Sequence, residues 1–215
     1  MQSKRKTTTD STYQGYPILT DEKKGLAIDT DLMQKIIKQF EYAEYDKSKV
    51  FFYRFDLHFP KDMGTLEAPQ DNEHFTKFMS AYSKKLSRKG LEPQYVAVRE
   101  QKSSENPHLH VIMFLDGQKT RNCQNHLNTA ERLWEHELGM EADGTHGLVN
   151  YCEKDKNTGE RMINGMMIDP IKDNYDCVKN KCVERASYLA KVNQKNAPKG
   201  VREVFASKLP KDFRR

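Results

Sequence analysis

The segment Pro107-His108-Leu109-His110 runs straight into Val111, Ile112, Met113, Phe114 and Leu115 and is closed by Asp116-Gly117; it constrains this chain more than any other stretch. An unbroken run of β-branched and aromatic residues ending in a turn pair reads as a buried strand. Side chains alternate along a strand, so His108 and His110 leave one face while Leu109 leaves the other. The fold must therefore hold two imidazoles side by side at the end of an otherwise apolar strand. Adjacent imidazoles can chelate a divalent metal.

A third ligand is available nearby. Tyr95-Val96-Ala97-Val98-Arg99-Glu100-Gln101 reads as a second strand, and the polar Lys102-Ser103-Ser104-Glu105-Asn106 as the hairpin loop joining it to the histidine strand. A loop centred on Ser104 sets Glu100 opposite His108 and Val98 opposite His110. One face then presents Glu100, His108 and His110 together. Two nitrogens and a carboxylate with open positions suit Mg²⁺ or Mn²⁺ acting on a phosphate better than closed structural zinc. Asp56 and His58 share a face of an earlier strand, and either replaces or supplements Glu100 if that strand lies beside the histidines.

A candidate nucleophile follows. Residues 173–195 read as a helix with the apolar stripe Val178, Cys182, Ala186 and Leu189. Tyr188 falls off that stripe on the polar, basic face, close to Lys191 and Lys195, with Arg185 at its edge. Cations there stabilise a phenolate and an incoming phosphate, as tyrosine attack on a phosphodiester requires. Tyr151 has the same Tyr-x-x-Lys spacing to Lys154, but it follows Gly147-Leu148-Val149-Asn150, which reads as a strand. Positions three apart on a strand face opposite ways, so Tyr188 is preferred and Tyr151 is expected to be a sheet residue.

Elsewhere, residues 1–20 read as a flexible polar tail, 29–45 as an amphipathic helix within an N-terminal extension spanning 21–48, and 49–59 as a strand stopped by Pro60. Residues 72–89 form a helix ended by Gly90, and Cys123, Leu127, Ala130 and Trp134 mark another ended by Gly139. Trp134 and Met162, Met166 and Met167 read as core or cover, and residues 153–169 as a short hairpin. The order of elements predicts an α+β fold: an antiparallel sheet with helices packed mainly on one face, leaving the other for the metal site.

Charge adds a little. Lys and Arg number 36 against 31 Asp and Glu, a net +5 compatible with DNA, and the excess clusters at Lys84, Lys85, Arg88 and Lys89 and at Lys208, Lys211, Arg214 and Arg215. The four cysteines form no Cys-x-x-Cys pair, which argues against a zinc ribbon and for a reducing, cytoplasmic setting. No long apolar run or signal-peptide core appears, so no membrane partner is expected. A Gly-rich phosphate loop is also absent, so no helicase or ATPase is expected within the chain.

Asn106-Pro107-His108-Leu109-His110-Val111, with Glu100 upstream and Ser187-Tyr188-Leu189-Ala190-Lys191 downstream, resembles the paired motifs of the HUH endonucleases, and more narrowly the single-tyrosine initiators of rolling-circle replication. Tyr53-Arg54-Phe55-Asp56-Leu57-His58 and Gly200-Val201-Arg202-Glu203-Val204-Phe205-Ala206-Ser207 look most like filamentous-phage (inovirus) replication proteins and their prophage-encoded YagK/YfjJ-type relatives. The resemblance implies an HUH/RRM-like central sheet in an endonuclease domain over 49–208, followed by a basic tail at 209–215. It implies a nickase acting on single-stranded DNA at a replication origin, served by a separate helicase and polymerase, through a 5′-phosphotyrosyl intermediate. His108, His110 and Glu100 would hold the metal, Tyr188 would attack and Lys191 would support the phosphate. Arg185, Lys195, Lys84, Lys85 and Arg88 would contact DNA. Two other readings stand beside it: a single-tyrosine transposase or relaxase, and a non-catalytic DNA-binding regulator that keeps the fold.

Overall fold

The computed structural model describes residues 5–60, 71–101, 106–144, 146–154, 158–192 and 200–213. Four two-residue strands come first: β1 (Thr7–Thr8), β2 (Thr12–Tyr13), β3 (Tyr16–Pro17) and β4 (Ile28–Asp29). They lead into α1 (Thr30–Asp46), β5 (Val50–His58), α2 (Glu73–Arg88), β6 (Gln94–Glu100), β7 (His108–Asp116) and α3 (Gln124–Glu137). The chain continues through β8 (Val149–Asn150), β9 (Met166–Ile168), α4 (Tyr175–Ser187), a 3₁₀ turn (Tyr188–Ala190) and β10 (Val204–Ala206).

The central sheet is antiparallel, ordered β10-β6-β7-β5-β8, with β9 also on the β5 edge. Its fold class is α+β, as the order of elements predicts, but helices cover both faces rather than one. The reason lies in β5 and β7, which are apolar on both sides. Tyr53, Phe55, Leu57, Leu109, Val111 and Met113 pack under α2 and α3 with Phe78, Tyr82 and Trp134. On the histidine face Phe52, Ile112 and Phe114 need cover as well, and α1 and α4 supply it. Phe40 of α1 lies 5.4 Å from the Phe52 ring and meets Phe114 edge-on at 4.7 Å. The end of that face bearing the histidines is polar, and at the far end Gln94 meets Gln39 and Asp46 of α1.

Helix boundaries follow local chemistry. Asp29 caps α1 by accepting the Leu32 N–H at 2.9 Å, and Leu32, Ile36, Ile37 and Phe40 form the buried stripe read from the sequence. Gly90 and Gly139 follow α2 and α3, each with φ +71, a conformation only glycine adopts cheaply.

Two expected tails are docked. Among residues 5–20 Ile18 is buried, Arg5 pairs with Glu203 at 2.5 Å, and short strands form, so this part of the N-terminal segment belongs to the domain. Near the other end Phe213 packs against Tyr42 and Tyr45 of α1. Nor do residues 153–169 make a hairpin of their own among the described residues. One bridge links Lys154 to Arg161, and β9 instead pairs with Val50–Phe52, placing Met166 and Met167 against opposite cores.

Beneath α2 and α3 a polar chain threads the core. The Tyr53 and Tyr82 hydroxyls are 2.7 Å apart, Tyr82 donates to the His126 carbonyl at 3.0 Å, and His126 Nε2 lies 2.8 Å from Thr120 Oγ1. Burial, aided by Lys89, holds the His126 pKa below its ordinary 6.5. The unfolded chain then binds the proton more readily, so stability is complete above about pH 6.5 and falls as pH drops toward the lower folded value. We expect His126→Gln to flatten the decline in urea-unfolding stability between about pH 6.5 and 5. An unchanged slope would show that His126 titrates alike in both states.

Candidate active site

Three strands build the polar end of the sheet row by row. His108 pairs with Glu100 of β6 and His58 of β5; His110 pairs with Val98 and Asp56; Ile112 pairs with Val96 and Arg54. The hairpin register inferred from the sequence is the one observed. β5 also lies beside the histidine strand, so Asp56 and His58 share the face with Glu100. Trp134 fixes the end of β5 from the other side, its indole N–H donating to the His58 carbonyl at 2.7 Å.

His110 is held at both nitrogens. Nδ1 lies 2.7 Å from Asp56 Oδ1, and Nε2 lies 3.0 Å from Glu100 Oε2. Arg54 reaches both oxygens of Asp56 through one nitrogen, at 3.0 and 3.1 Å, and approaches His110 Nδ1 at 3.2 Å. Asp56 is 1% exposed, and burial alone would raise its pKa; Arg54 and His110 reverse that and hold the carboxyl far below the usual range. Burial would likewise lower His110, but Asp56 and Glu100 raise it above the ordinary value. One oxygen of Glu100, Oε1, is buried without a hydrogen-bond partner. His108 lies beside His58, ring centroids 4.7 Å apart.

Tyr188 meets this cluster, though not from the helix expected for 173–195. α4 ends at Ser187, and Tyr188 opens the 3₁₀ turn. Leu189 and Ala190 are fully buried, and the N-terminal segment pins the turn: Leu19 N–H donates to Ser187 Oγ at 2.8 Å, Lys191 bridges to Ile28, and Val192 N–H donates to the Ala27 carbonyl at 3.1 Å. The Tyr188 ring stands edge-on to His110 at 5.2 Å, with Arg54 4.0 Å and Lys191 3.8 Å from its centroid. Burial raises the Tyr188 pKa, and Arg54 offsets this only in part. The expected net stabilisation of a phenolate is therefore not present; the hydroxyl rests protonated.

Beside Tyr188 opens a cavity of about 650 Å³, lined among others by Arg54, Asp56, Lys154, Arg185 and Lys191. Arg185 donates to the Cys152 carbonyl, while its Nε is buried without a partner. Cys152 sits at φ +54, and burial first, then Asp56, pushes its thiol up to about 12, which leaves it a poor nucleophile.

The structure divides the remaining candidates. Glu100, His108 and His110 share the face, but they do not form a trio with ligand atoms all within 4.8 Å; among the described residues that trio is Glu135, Asp143 and His146, a group that could hold a metal ion and that sequence reading missed. The backbone N–H groups of Gly144 and His146 already donate to the two carboxylate oxygens of Glu135. Tyr151 lies just past β8 rather than in the sheet as expected, packs toward the α2/α3 core and donates to Glu131 at 2.7 Å; burial and Glu131 push its hydroxyl well up. Lys84, Lys85 and Arg88 are exposed on α2, across the sheet from the histidines, and do not line the site. Lys195 lies outside the described residues. Arg54 was also missed, although the alternation Arg54-Phe55-Asp56-Leu57-His58 signals one polar face at that end of the strand.

Fold and site together define an α+β domain whose sheet ends in a histidine–carboxylate row with a tyrosine seated on it. The chain belongs to the family described as the YagK/YfjJ C-terminal domain, which matches residues 8–206. That span crosses the boundaries expected near residues 20 and 48, in keeping with the docked N-terminal segment. No curated protein and no solved structure matches the chain.

Asp56 is the test of the site's architecture. Asp56→Ala strands a buried guanidinium and one nitrogen of His110, so it should cost about 3–5 kcal/mol in urea unfolding, the usual penalty for breaking a buried pair. Removing Arg54 as well, in Arg54→Met/Asp56→Ala, should recover part of that relative to the sum of Arg54→Met and Asp56→Ala. A loss in the double variant equal to the sum of the two single losses would show that the pair is not coupled.

Proposed function

We propose that this protein nicks and rejoins single-stranded DNA by metal-dependent tyrosine chemistry of the HUH type, in initiating rolling-circle replication. One observation carries the reading: Tyr188 is seated 5.2 Å from His110, with the cations Arg54 and Lys191 within about 4 Å of its ring centre. A tyrosine kept only for packing has no need of two positive charges beside a histidine–carboxylate row.

The donors present suit a divalent ion by their chemistry, and His110 would release Glu100 from its Nε2 to ligate one. Glu100, His108 and His110 offer mixed nitrogen and oxygen ligands, with Asp56 and His58 adjoining, and Glu100 Oε1 is a buried acceptor with nothing to accept. When bound, Mg²⁺ or Mn²⁺ supplies Lewis-acid charge to a phosphate oxygen. Asp56 and Glu100 orient the His110 ring by its two nitrogens. Arg54 and Lys191 favour the negative charge that gathers on the Tyr188 oxygen and the phosphate as attack proceeds. A bond forms from that oxygen to phosphorus and the bond to the 3′ oxygen breaks. The phenolic proton is lost and the departing 3′ oxygen takes one up, leaving a 5′-phosphotyrosyl link.

A second reading, a non-catalytic DNA-binding regulator, is favoured by the hold of two carboxylates on both nitrogens of His110. Covalent capture separates the two. With Mg²⁺ or Mn²⁺ and oligonucleotides from candidate origins, the protein should form a covalent adduct that chelation abolishes. His108→Ala/His110→Ala and Tyr188→Phe should form none, while Tyr151→Phe forms it normally. Lys191→Ala should slow adduct formation by about tenfold or more, since its role is electrostatic. Adducts from Tyr188→Phe, or none from the unaltered protein on any origin, would overturn the nickase. A transposase or relaxase would share the chemistry and differ in the DNA cleaved.

A further inference from the structure

The cavity beside Tyr188 has a lining of two chemistries. Lys181, Arg185 and Tyr188, at spacings of four and three, lie along one side of α4 and the turn after it, and all three line the cavity. At 1.5 Å per residue this stripe is about 10 Å long. Lys154 adds a further cation, and the carboxylates on the cavity wall are Asp56, already committed to Arg54 and His110, and Glu184. Arg185 carries the unpartnered Nε noted above. The positive lining thus exceeds what its own carboxylates balance.

The same cavity is lined by Met162, Ile163 and Met166. Ile163 is 75% and Met162 39% exposed, on a loop that is firmly held. The Asn164 side chain takes the place of a strand beside Arg54, accepting its N–H at 3.0 Å and donating to its carbonyl at 2.7 Å and to that of Tyr151 at 2.5 Å. Gly165, at φ +87, lies so close to β5 that a Cβ there would stand 2.9 Å from Phe51 Cζ. A fixed loop therefore presents apolar side chains to solvent at the mouth of a cationic cavity. A nucleotide, with an anionic phosphate and a flat apolar base, matches both kinds of lining.

We propose that this cavity is a nucleotide pocket for the single strand next to the phosphate that Tyr188 attacks: Lys154, Lys181 and Arg185 take backbone phosphates, and Met162, Ile163 and Met166 take a base. This rests on the nickase reading for its substrate, and binding without chemistry tests it separately.

The probes are a fluorescein-labelled random-sequence pool of about 20 nucleotides and an abasic strand of equal length, sized to exceed one single-strand site. Fluorescence anisotropy should show the unaltered protein preferring the strand with bases. Lys154→Gln/Lys181→Gln should weaken both probes by about tenfold and flatten the log–log salt dependence by about 1.4, or 0.7 per phosphate contact. Met162→Ser/Ile163→Ser should keep the affinity for the abasic strand and lose the preference for bases. The proposal is overturned if the lysine pair changes neither affinity nor salt slope, if the apolar pair keeps the preference, or if the unaltered protein binds neither probe. Normal pocket-independent binding alongside Tyr188 adducts would remove the pocket and keep the nickase. Pocket-dependent binding with no adduct on any origin would do the reverse.

Discussion

The carboxylate of Asp56 is the point on which the polar end of this fold turns. An ionised group 1% exposed is costly unless its neighbours return what water would have given, and here Arg54 and His110 do so from the same strand and the adjoining one. The consequence is geometric as much as energetic. His110 is fixed by Asp56 on one side and Glu100 on the other, and Arg54 is fixed as a flat cation against Tyr188. A single carboxylate thereby couples the orientation of a candidate metal ligand to the position of the candidate nucleophile.

The sheet face that carries this cluster is split along its length. Phe52, Ile112 and Phe114 are sealed under α1 and α4, while Arg54, Asp56, His58, His108, His110 and Glu100 gather beyond them. Tyr188 stands at the boundary, where its ring can be half-buried and its hydroxyl can still face the polar groups. Burial at that boundary raises its pKa, so the cations around it matter most when charge develops, and less in the resting state. The N-terminal segment, through Leu19, Ala27 and Ile28, is what holds the turn there. A segment that reads as a polar tail thus helps to build the site, and the family match beginning at residue 8 includes it.

Much of the site was legible in the chain because alternation along a strand is a local rule. The run after Pro107 declares a strand, its period puts His108 and His110 on one face, and the short polar loop before it sets Glu100 across from His108. The choice of Tyr188 over Tyr151 also followed from local pattern, and the structure does bring Tyr188, not Tyr151, to His110. The expected geometry of Tyr188 was wrong all the same. The periodicity of 173–195 continues past Ser187, but Leu189 and Ala190 are drawn into the core against α1, and contacts from the N-terminal segment close the turn. No window of sequence contains those partners.

What the sequence by itself determined is therefore the strand, its two faces, the register of one hairpin, and the glycines that stop two of the helices. Each depends on residues a few positions apart, within reach of steric and hydrogen-bonding rules that need no partner. The tertiary structure decided which strand became the other neighbour of β7, and with it that Asp56 and Arg54 join His110. It also decided that both sheet faces are covered, that Lys84, Lys85 and Arg88 fall on the far side, and where Tyr188 comes to rest. These outcomes arise from burying apolar surface between segments far apart in the chain, a term that is non-directional and roughly additive in area and so is settled only when all the segments compete at once.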